Sequence, residues 1–286
     1  MRYKQIIRII VIVFFISLVV TAIAISLMNT SKLPEISSLI GRSIPSDLYT
    51  QLVQLSGQGY NISVTETNLD ILPYNFSSND KPTVIFVGAE WCPYCGAERW
   101  ALIIALLRFG NFSNLQFMLS SSIDVYPNVP TFTFANASYS SPYISFVGIE
   151  YENRQGQYLD KVPTTVYSMW EKYGNLSIPF LIIGCYYQVG TTINPKLLSG
   201  KNWTYVVEQL HNPNSPIYKQ IYYQANLITK YICMVDGDKP LSVCSHFTQD
   251  YSYDPQQNFS VYTTMDNENV QSYSLEYIIE GEKKCV

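Results

Sequence analysis

Charge is scarce in this chain: 14% of its 286 residues are Asp, Glu, Lys or Arg, against about a quarter in an ordinary soluble domain. The net charge is −4, the pI lies near 5.2, and no basic cluster occurs beyond the extreme N-terminus, which argues against a nucleic-acid footprint. Histidine is almost missing, with only His211 and His246 present. A single C-x-x-C with so few nitrogen ligands leaves a zinc site as the weaker reading, because such sites need four ligands. No internal repeat and no low-complexity block interrupts the chain. In place of charge stand 24 tyrosines and many Ser, Thr and Asn residues, the composition of a polar but mostly neutral surface.

With 47% hydrophobic residues, a chain of this length buries one sizeable core with appendages. The longest apolar run, Ile9 to Met28, is uncharged and follows Arg2, Lys4 and Arg8. About twenty helical residues span a bilayer core of about 30 Å, so the run is read as a single-pass anchor. The positive-inside rule then keeps the N-terminus cytoplasmic and places the main domain outside the cell. The alternative is a cleaved signal peptide, with Ala22 and Ala24 as small residues, although the run exceeds the usual h-region of about 7–15 residues. N-x-S/T triplets at Asn29, Asn61, Asn75, Asn111, Asn136, Asn175, Asn202 and Asn258 are glycosylation candidates that fit export, some of them expected by chance in so Asn- and Ser-rich a chain. An even count of six cysteines also fits an oxidising exterior.

The rest divides into a stalk and short helix over 31–58, a main domain over 59–244 and a β-rich extension over 245–286, behind the anchor region 1–30. Ser46 is read as the N-cap of a helix to about Leu55, and Asn61 to Thr67 as a first strand. The buried run Thr83 to Val87 is a strand. Ala97, Trp100, Ala101, Ile104 and Leu107 recur at helical spacing, with Glu98, Arg99 and Arg108 elsewhere on that helix and Gly110 ending it. Leu115 to Leu119 reads as the next strand, the parallel partner of Val84–Val87 in a strand–helix–strand unit. The stretch 120–152 reads as an extended, hairpin-like elaboration. Its first loop, Ser120 to Pro130, is either a specificity loop or an ordinary solvated one. Helices are expected at 162–173, 202–210 and 215–233, and a terminal hairpin after Phe247.

Between the Thr83–Val87 strand and its helix lies Trp91-Cys92-Pro93-Tyr94-Cys95. Strand, C-x-x-C and helix in direct succession place Cys92 at a helix N-terminus, where unpaired N–H groups and the macrodipole favour a thiolate. Cys92 is therefore the candidate nucleophile. Cys95, one turn along, is the candidate resolving thiol, able to release a mixed disulfide as a Cys92–Cys95 bond. Pro93 suits the first helical turn. The competing readings are half a zinc site, two buried structural cysteines, or an inert disulfide. Glu90, two residues before Cys92, is read either as an outward, solvated charge or as an inward carboxylate that shuttles the proton Cys95 must lose.

This arrangement resembles the thioredoxin superfamily, and C-P-Y-C is similar to glutaredoxins and the more oxidising exchange enzymes. Ser177-Ile178-Pro179-Phe180-Leu181-Ile182-Ile183-Gly184 resembles the part of that fold where a cis-proline faces the C-x-x-C. The resemblance implies that Pro179 completes the site and that the backbone groups of Ile178 pair with an extended substrate. The following strand, Tyr186 to Val189, is similar to the end of disulfide-bond-forming enzymes of the A and G types. The patterns A-N-x-I-T-x-x-I-C and K-P-x-x-V-C, with Ser121-Ser-Ile-Asp-Val-Tyr-Pro and Ser141-Pro-Tyr-Ile-Ser-Phe, resemble an anchored archaeal and actinobacterial thioredoxin-like family catalogued only as a domain of unknown function. The fold class expected is α/β: a thioredoxin-like fold with a β-rich insertion and C-terminal helical and β extensions behind one transmembrane helix.

A Cys233–Cys244 bridge would staple the turn between them to a helix end. With Cys92 and Cys95 paired, Cys185–Cys285 remains, unless Cys185 is a buried free thiol and Cys285 pairs with another chain. The function expected is a membrane-anchored, extracytoplasmic thiol–disulfide oxidoreductase without cofactor or metal. Its partners would be exported protein thiols or disulfides and a membrane redox partner. Oxidase, reductase and isomerase are left open, since they share these residues and differ in potential. The alternative is a non-catalytic surface glycoprotein or assembly module built on the same scaffold.

Overall fold

The computed structural model describes residues 12–21, 36–65 and 69–247 and falls into two units, Met1–Arg42 and Ser43–Val286. In the first, the described residues form helix α1 over 12–21 and a turn at 36–42. At 1.5 Å per residue the described part of α1 covers about 15 Å, half a bilayer core. Among the described residues no helix is long and apolar enough to cross a membrane. The expected transmembrane helix over 9–28, and the single-pass cell-membrane placement built on it, are corrected accordingly. The remainder of that run, like Asn29, lies outside the described residues.

The second unit is organised on strand β3, Lys81–Ala89, buried from Thr83 onward. β8 (Ser145–Glu152) runs parallel along one side, Thr83 opposite Ser145. β9 (Phe180–Ile183) runs antiparallel along the other, Val87 opposite Phe180. β10 (Tyr186–Val189) and β1 (Asp70–Ile71) extend the sheet beyond β9, and β2 (Ser77–Ser78) pairs with the start of β3. A strand buried on both faces sends alternate side chains to opposite layers. Ile85 and Val87 pack with Phe180, Ile182 and the Val166, Met169 and Trp170 side chains of α4 (Thr164–Gly174). Phe86 faces the other layer, where α3 (Pro93–Leu107) and α6 (Pro216–Asp236) lie.

Helix α2 (Ser46–Ser56) also packs on α3, and every residue of α3 except Tyr94 is buried. Glu98, Arg99 and Arg108 are therefore interior, not on a polar face. Arg108 donates to the carbonyls of Ser56 and Gln58 and to Asn226 Oδ1 and Thr229 Oγ1, and lies over the Tyr60 ring at 4.4 Å. Burial pulls it down to about 10. Glu98 accepts from Gln224 through one oxygen, while its other oxygen has no partner.

Several expectations are corrected. Residues 61–65 form a turn and irregular chain, the end of the expected strand lies outside the described residues, and among the described residues the first strand is β1. β5 (Gln116–Leu119) does not join the main sheet; it pairs with β6 (Pro130–Thr133), as β4 (Asn111–Ser113) pairs with β7 (Ser138–Ser140). The parallel partner of β3 is β8, which lies along the edge of the main sheet, so Tyr143 to Val147 leads into a strand of that sheet and not an outlying hairpin. Gly110 is not a left-handed helix cap; a Cβ there would meet the Ser140 carbonyl at 2.3 Å, so the requirement is close approach.

The C-terminal part forms α5 (Trp203–Leu210), capped by the Asn202 side chain, then α6, capped by Ser215, and α7 (Leu241–Cys244). Cys233 and Cys244 are bonded, with Cα atoms 5.6 Å apart. Cys185 is also disulfide-bonded; Cys285, its expected partner, lies outside the described residues, as do Asn258 and the expected terminal hairpin.

The Glu98 carboxyl generates a pH prediction. Burial raises it from 4.5 to about 7, so between those values the unfolded chain has lost a proton that the folded chain keeps. Stability should therefore fall by about 3 kcal/mol as pH rises through that window, and level off above it. Glu98→Gln should flatten this slope and exceed the wild type in urea resistance at pH 8. An unchanged slope between pH 5 and pH 8 would refute the assignment.

Candidate active site

β3 ends at Ala89, Glu90 and Trp91 turn the chain, and Cys92 is the N-cap of α3. Its N–H donates to the Ala89 carbonyl at 3.2 Å and its carbonyl accepts from Gly96. Pro93 occupies the first helical position, where no N–H is needed. The Cys92 Sγ accepts the Cys95 N–H at 3.1 Å, the contact a helix N-terminus offers to a thiolate. Both thiols are free and enclosed, Cys92 being 3% exposed and Cys95 fully buried.

Burial opposes ionisation at Cys92. The Cys95 thiol and N–H, the Arg99 charge and the Tyr94 N–H outweigh it and hold Cys92 below the ordinary thiol range. At Cys95 burial and the neighbouring Cys92 act together and push the thiol well up. The two environments thus drive the thiols apart, favouring the thiolate at Cys92 and the thiol at Cys95.

Beneath them lies a buried polar layer that the sequence reading missed. Arg99 Nε donates to Glu150 Oε1 at 2.8 Å, Nη2 pairs with Glu150 Oε2 and donates to the Ala89 carbonyl, and both side chains are fully buried. Glu150 also accepts from the Phe134 N–H, and its own N–H donates to Asp160. A register shift in the β3–β8 ladder leaves Gly88 opposite Glu150 and Ala89 opposite Glu152. Such bulges re-aim side chains next to sites; here Glu152 accepts from the Trp91 indole at 2.6 Å. The signal available was Arg99 four residues after Cys95, a spacing that puts both on one helix face. It becomes informative only once α3 is known to be buried.

Glu90 is not solvated. Thr133 Oγ1 donates to one oxygen at 2.7 Å, the Arg154 N–H to the other at 3.1 Å, and burial raises its pKa. The outward reading is thus corrected. The charged side chain that lowers both thiols is Arg99.

The β3–β9 register brings the remaining expected residue into place. With Val87 opposite Phe180, the next step sets Gly88 beside Pro179 and the exit of β3 beside Ile178. The Ile178–Pro179 bond is cis. The Pro179 carbonyl accepts from Gly190, while the Ile178 N–H and carbonyl have no backbone partner among the described residues. Tyr94 is 44% exposed and meets Tyr126 edge to face. Tyr126 belongs to the 120–130 loop, which is tied to the site by Ser121 N–H donating to the Trp91 carbonyl. A cleft of about 500 Å³ opens here, lined by Trp91, Ser121, Asp124, Glu152 and Arg154 among others.

Among the candidate sequons, Asn61, Asn111, Asn136 and Asn175 are exposed, whereas Asn75 and Asn202 are half-buried.

A family model described as Domain of unknown function (DUF929) matches residues 67–234, more than half of the chain, which therefore belongs to that family. No curated protein and no solved structure matches it.

Two outcomes are expected. The alkylation rate of reduced Cys92 should rise with pH to a midpoint below the ordinary 9.0 of a thiol; a midpoint at or above that value contradicts the electrostatics described. Gly88→Ala should destabilise the domain by about 1–3 kcal/mol in urea unfolding, because a Cβ there would sit 2.4 Å from the Phe86 ring and 3.3 Å from Cys95 Sγ. Wild-type stability would show that the two side chains yield freely.

Proposed function

We propose that this member of the family is a thiol–disulfide oxidoreductase acting on protein thiols or disulfides through Cys92 and Cys95, on a thioredoxin-type fold. The observation that carries the reading is the Cys92 Sγ held by the Cys95 N–H at the first turn of α3. It is supported by the strand arrangement: β3 leads into the C-x-x-C, β8 is its parallel neighbour, and the antiparallel β9 and β10 bring Ile178 and Pro179 to the same sheet end.

In this reading Cys92 exchanges with a client sulfur to give a mixed disulfide. Cys95 then displaces the client and closes the Cys92–Cys95 bond; the reverse sequence delivers that bond to a client dithiol. The Ile178 backbone groups lie where an extended client strand would pair, and the cleft beside Trp91 takes its neighbouring side chain.

The enclosure of both thiols favours a second reading, an inert pair inside a non-catalytic scaffold. Insulin reduction, oxidation of reduced ribonuclease and trapping separate the two. The enzyme should be active in at least one assay. Cys95→Ser should accumulate a client adduct at Cys92, and the Cys92→Ser/Cys95→Ser double variant should not. Absence of activity in both assays, with no adduct formed, establishes the scaffold.

A further inference from the structure

A guanidinium in a protein interior ordinarily spends its donors on fixed acceptors, since a buried donor left unpaired is costly. Arg99 does not: Nε and Nη2 are taken by Glu150 and the Ala89 carbonyl, but Nη1 is buried with no hydrogen-bond partner. Its place is informative. Arg99 follows Cys95 by one helical turn on α3, so the two side chains share a face. The Ala89 carbonyl that receives Nη2 also receives the Cys92 N–H. Cys95 Sγ lies 3.3 Å from the position a Cβ on Gly88 would take, a position that also abuts the Phe86 ring, and Arg99 Cζ sits 5.3 Å from the centre of that ring.

The other titratable groups around the pair are committed elsewhere. Glu150 holds Arg99, Glu152 holds the Trp91 indole, and Glu90 holds Thr133 and the Arg154 N–H. Tyr151 stays neutral, pushed up to about 12 chiefly by burial.

Resting on the redox reading above, we infer that Arg99 is a positioning residue for sulfur anions: its spare Nη1 donor receives the Cys95 thiolate whenever the Cys92–Cys95 bond opens or closes. When a client thiolate attacks Cys92 Sγ, a client–Cys92 bond forms, the Cys92–Cys95 bond breaks, and its electron pair leaves on Cys95. A second client thiolate then attacks the client sulfur of the mixed disulfide, closing the client disulfide and releasing Cys92 as a thiolate. Two electrons have passed to the pair, and protons from solvent neutralise whichever thiolates persist. In reverse, Cys95 gives up its proton and attacks the Cys92 sulfur of a mixed disulfide. In both directions the anion on Cys95 is fully enclosed and has lost its water. A donor without a resting partner is free to take up that anion as it appears, stabilising the thiolate and the steps that form it. Glu150 fixes the guanidinium with both oxygens, so no reorganisation is needed when the anion appears.

The test compares Glu150→Gln, which keeps the cation, with Arg99→Met/Glu150→Gln, which removes both charges and leaves neither buried alone. Relative to Glu150→Gln, the double variant should raise the pH midpoint of Cys92 alkylation by iodoacetamide by about one unit, at the low end of the effect of a nearby opposite charge. Its equilibrium with reduced and oxidised glutathione should move about tenfold toward the Cys92–Cys95 disulfide. A folded double variant with the midpoint and equilibrium of Glu150→Gln overturns the inference. Arg99→Lys covers the case in which the double variant does not fold: it keeps the charge but loses the forked donor, and should slow resolution of a preformed glutathione adduct at Cys92 about tenfold or more. An unchanged rate is equally fatal. If wild-type Cys92 fails to exchange with glutathione at all, the redox reading itself falls; exchange that none of the variants alters removes only Arg99.

Discussion

A charge stays inside a protein only where surrounding groups replace the water it has lost, and α3 with its C-cap residue Arg108 carries three such groups because the sheet, α2 and α6 enclose it. The three are handled differently. Arg108 is surrounded by neutral oxygens and an aromatic face, tying α2 and its following turn to α6. Glu98 finds one amide and keeps its proton into the neutral range. Arg99 alone has a carboxylate opposite it. The ion pair with Glu150 therefore joins the cysteine helix to the strand parallel to β3, and fixes how the helix N-terminus sits over the sheet end.

That join explains why the cysteine pair is asymmetric. Cys92 caps the helix and gathers N–H donors, whereas Cys95 turns into the interior, against Gly88 and Phe86. Burial by itself would make both thiols inert. The helix terminus and one fixed cation separate them, using few charged residues in a chain that has few to spend.

What could be read in advance was local. The apolar run before the C-x-x-C, the helical spacing after it, and a proline opening a later apolar run each carry their signal within about ten residues. Cys233 and Cys244 were legible for the same reason, since only a short turn divides them. Pairing across long separations was not. Gln116–Leu119 looks as much like a partner of β3 as Ser145–Glu152 does, and the choice depends on two ribbons, β4–β7 and β5–β6, that form in between. The burial of Glu90 and Arg99 was hidden too, because charge normally marks a solvated face and only the completed packing reverses that expectation. The apolar run at 9–28 shows the opposite failure, where composition suggested a length of helix that the described residues do not reach.

The β3–β9 ladder also sets limits on how chain length can vary among relatives. Residues advance about 3.4 Å per step along an antiparallel strand and alternate faces. One residue gained or lost within Phe180–Ile183 would carry Ile178 and Pro179 off the end of β3 or turn them to the opposite layer. The turn at Gly184, at the far end of β9, could absorb such a change only by breaking the pairing with β10. Length variation is instead accommodated where no ladder counts residues, as in the exposed turn around Gly156, whose added Cβ would meet no atom within 4 Å. Relatives of this chain should thus differ in the size of their outer loops while the spacing from the proline to the end of β9 stays constant.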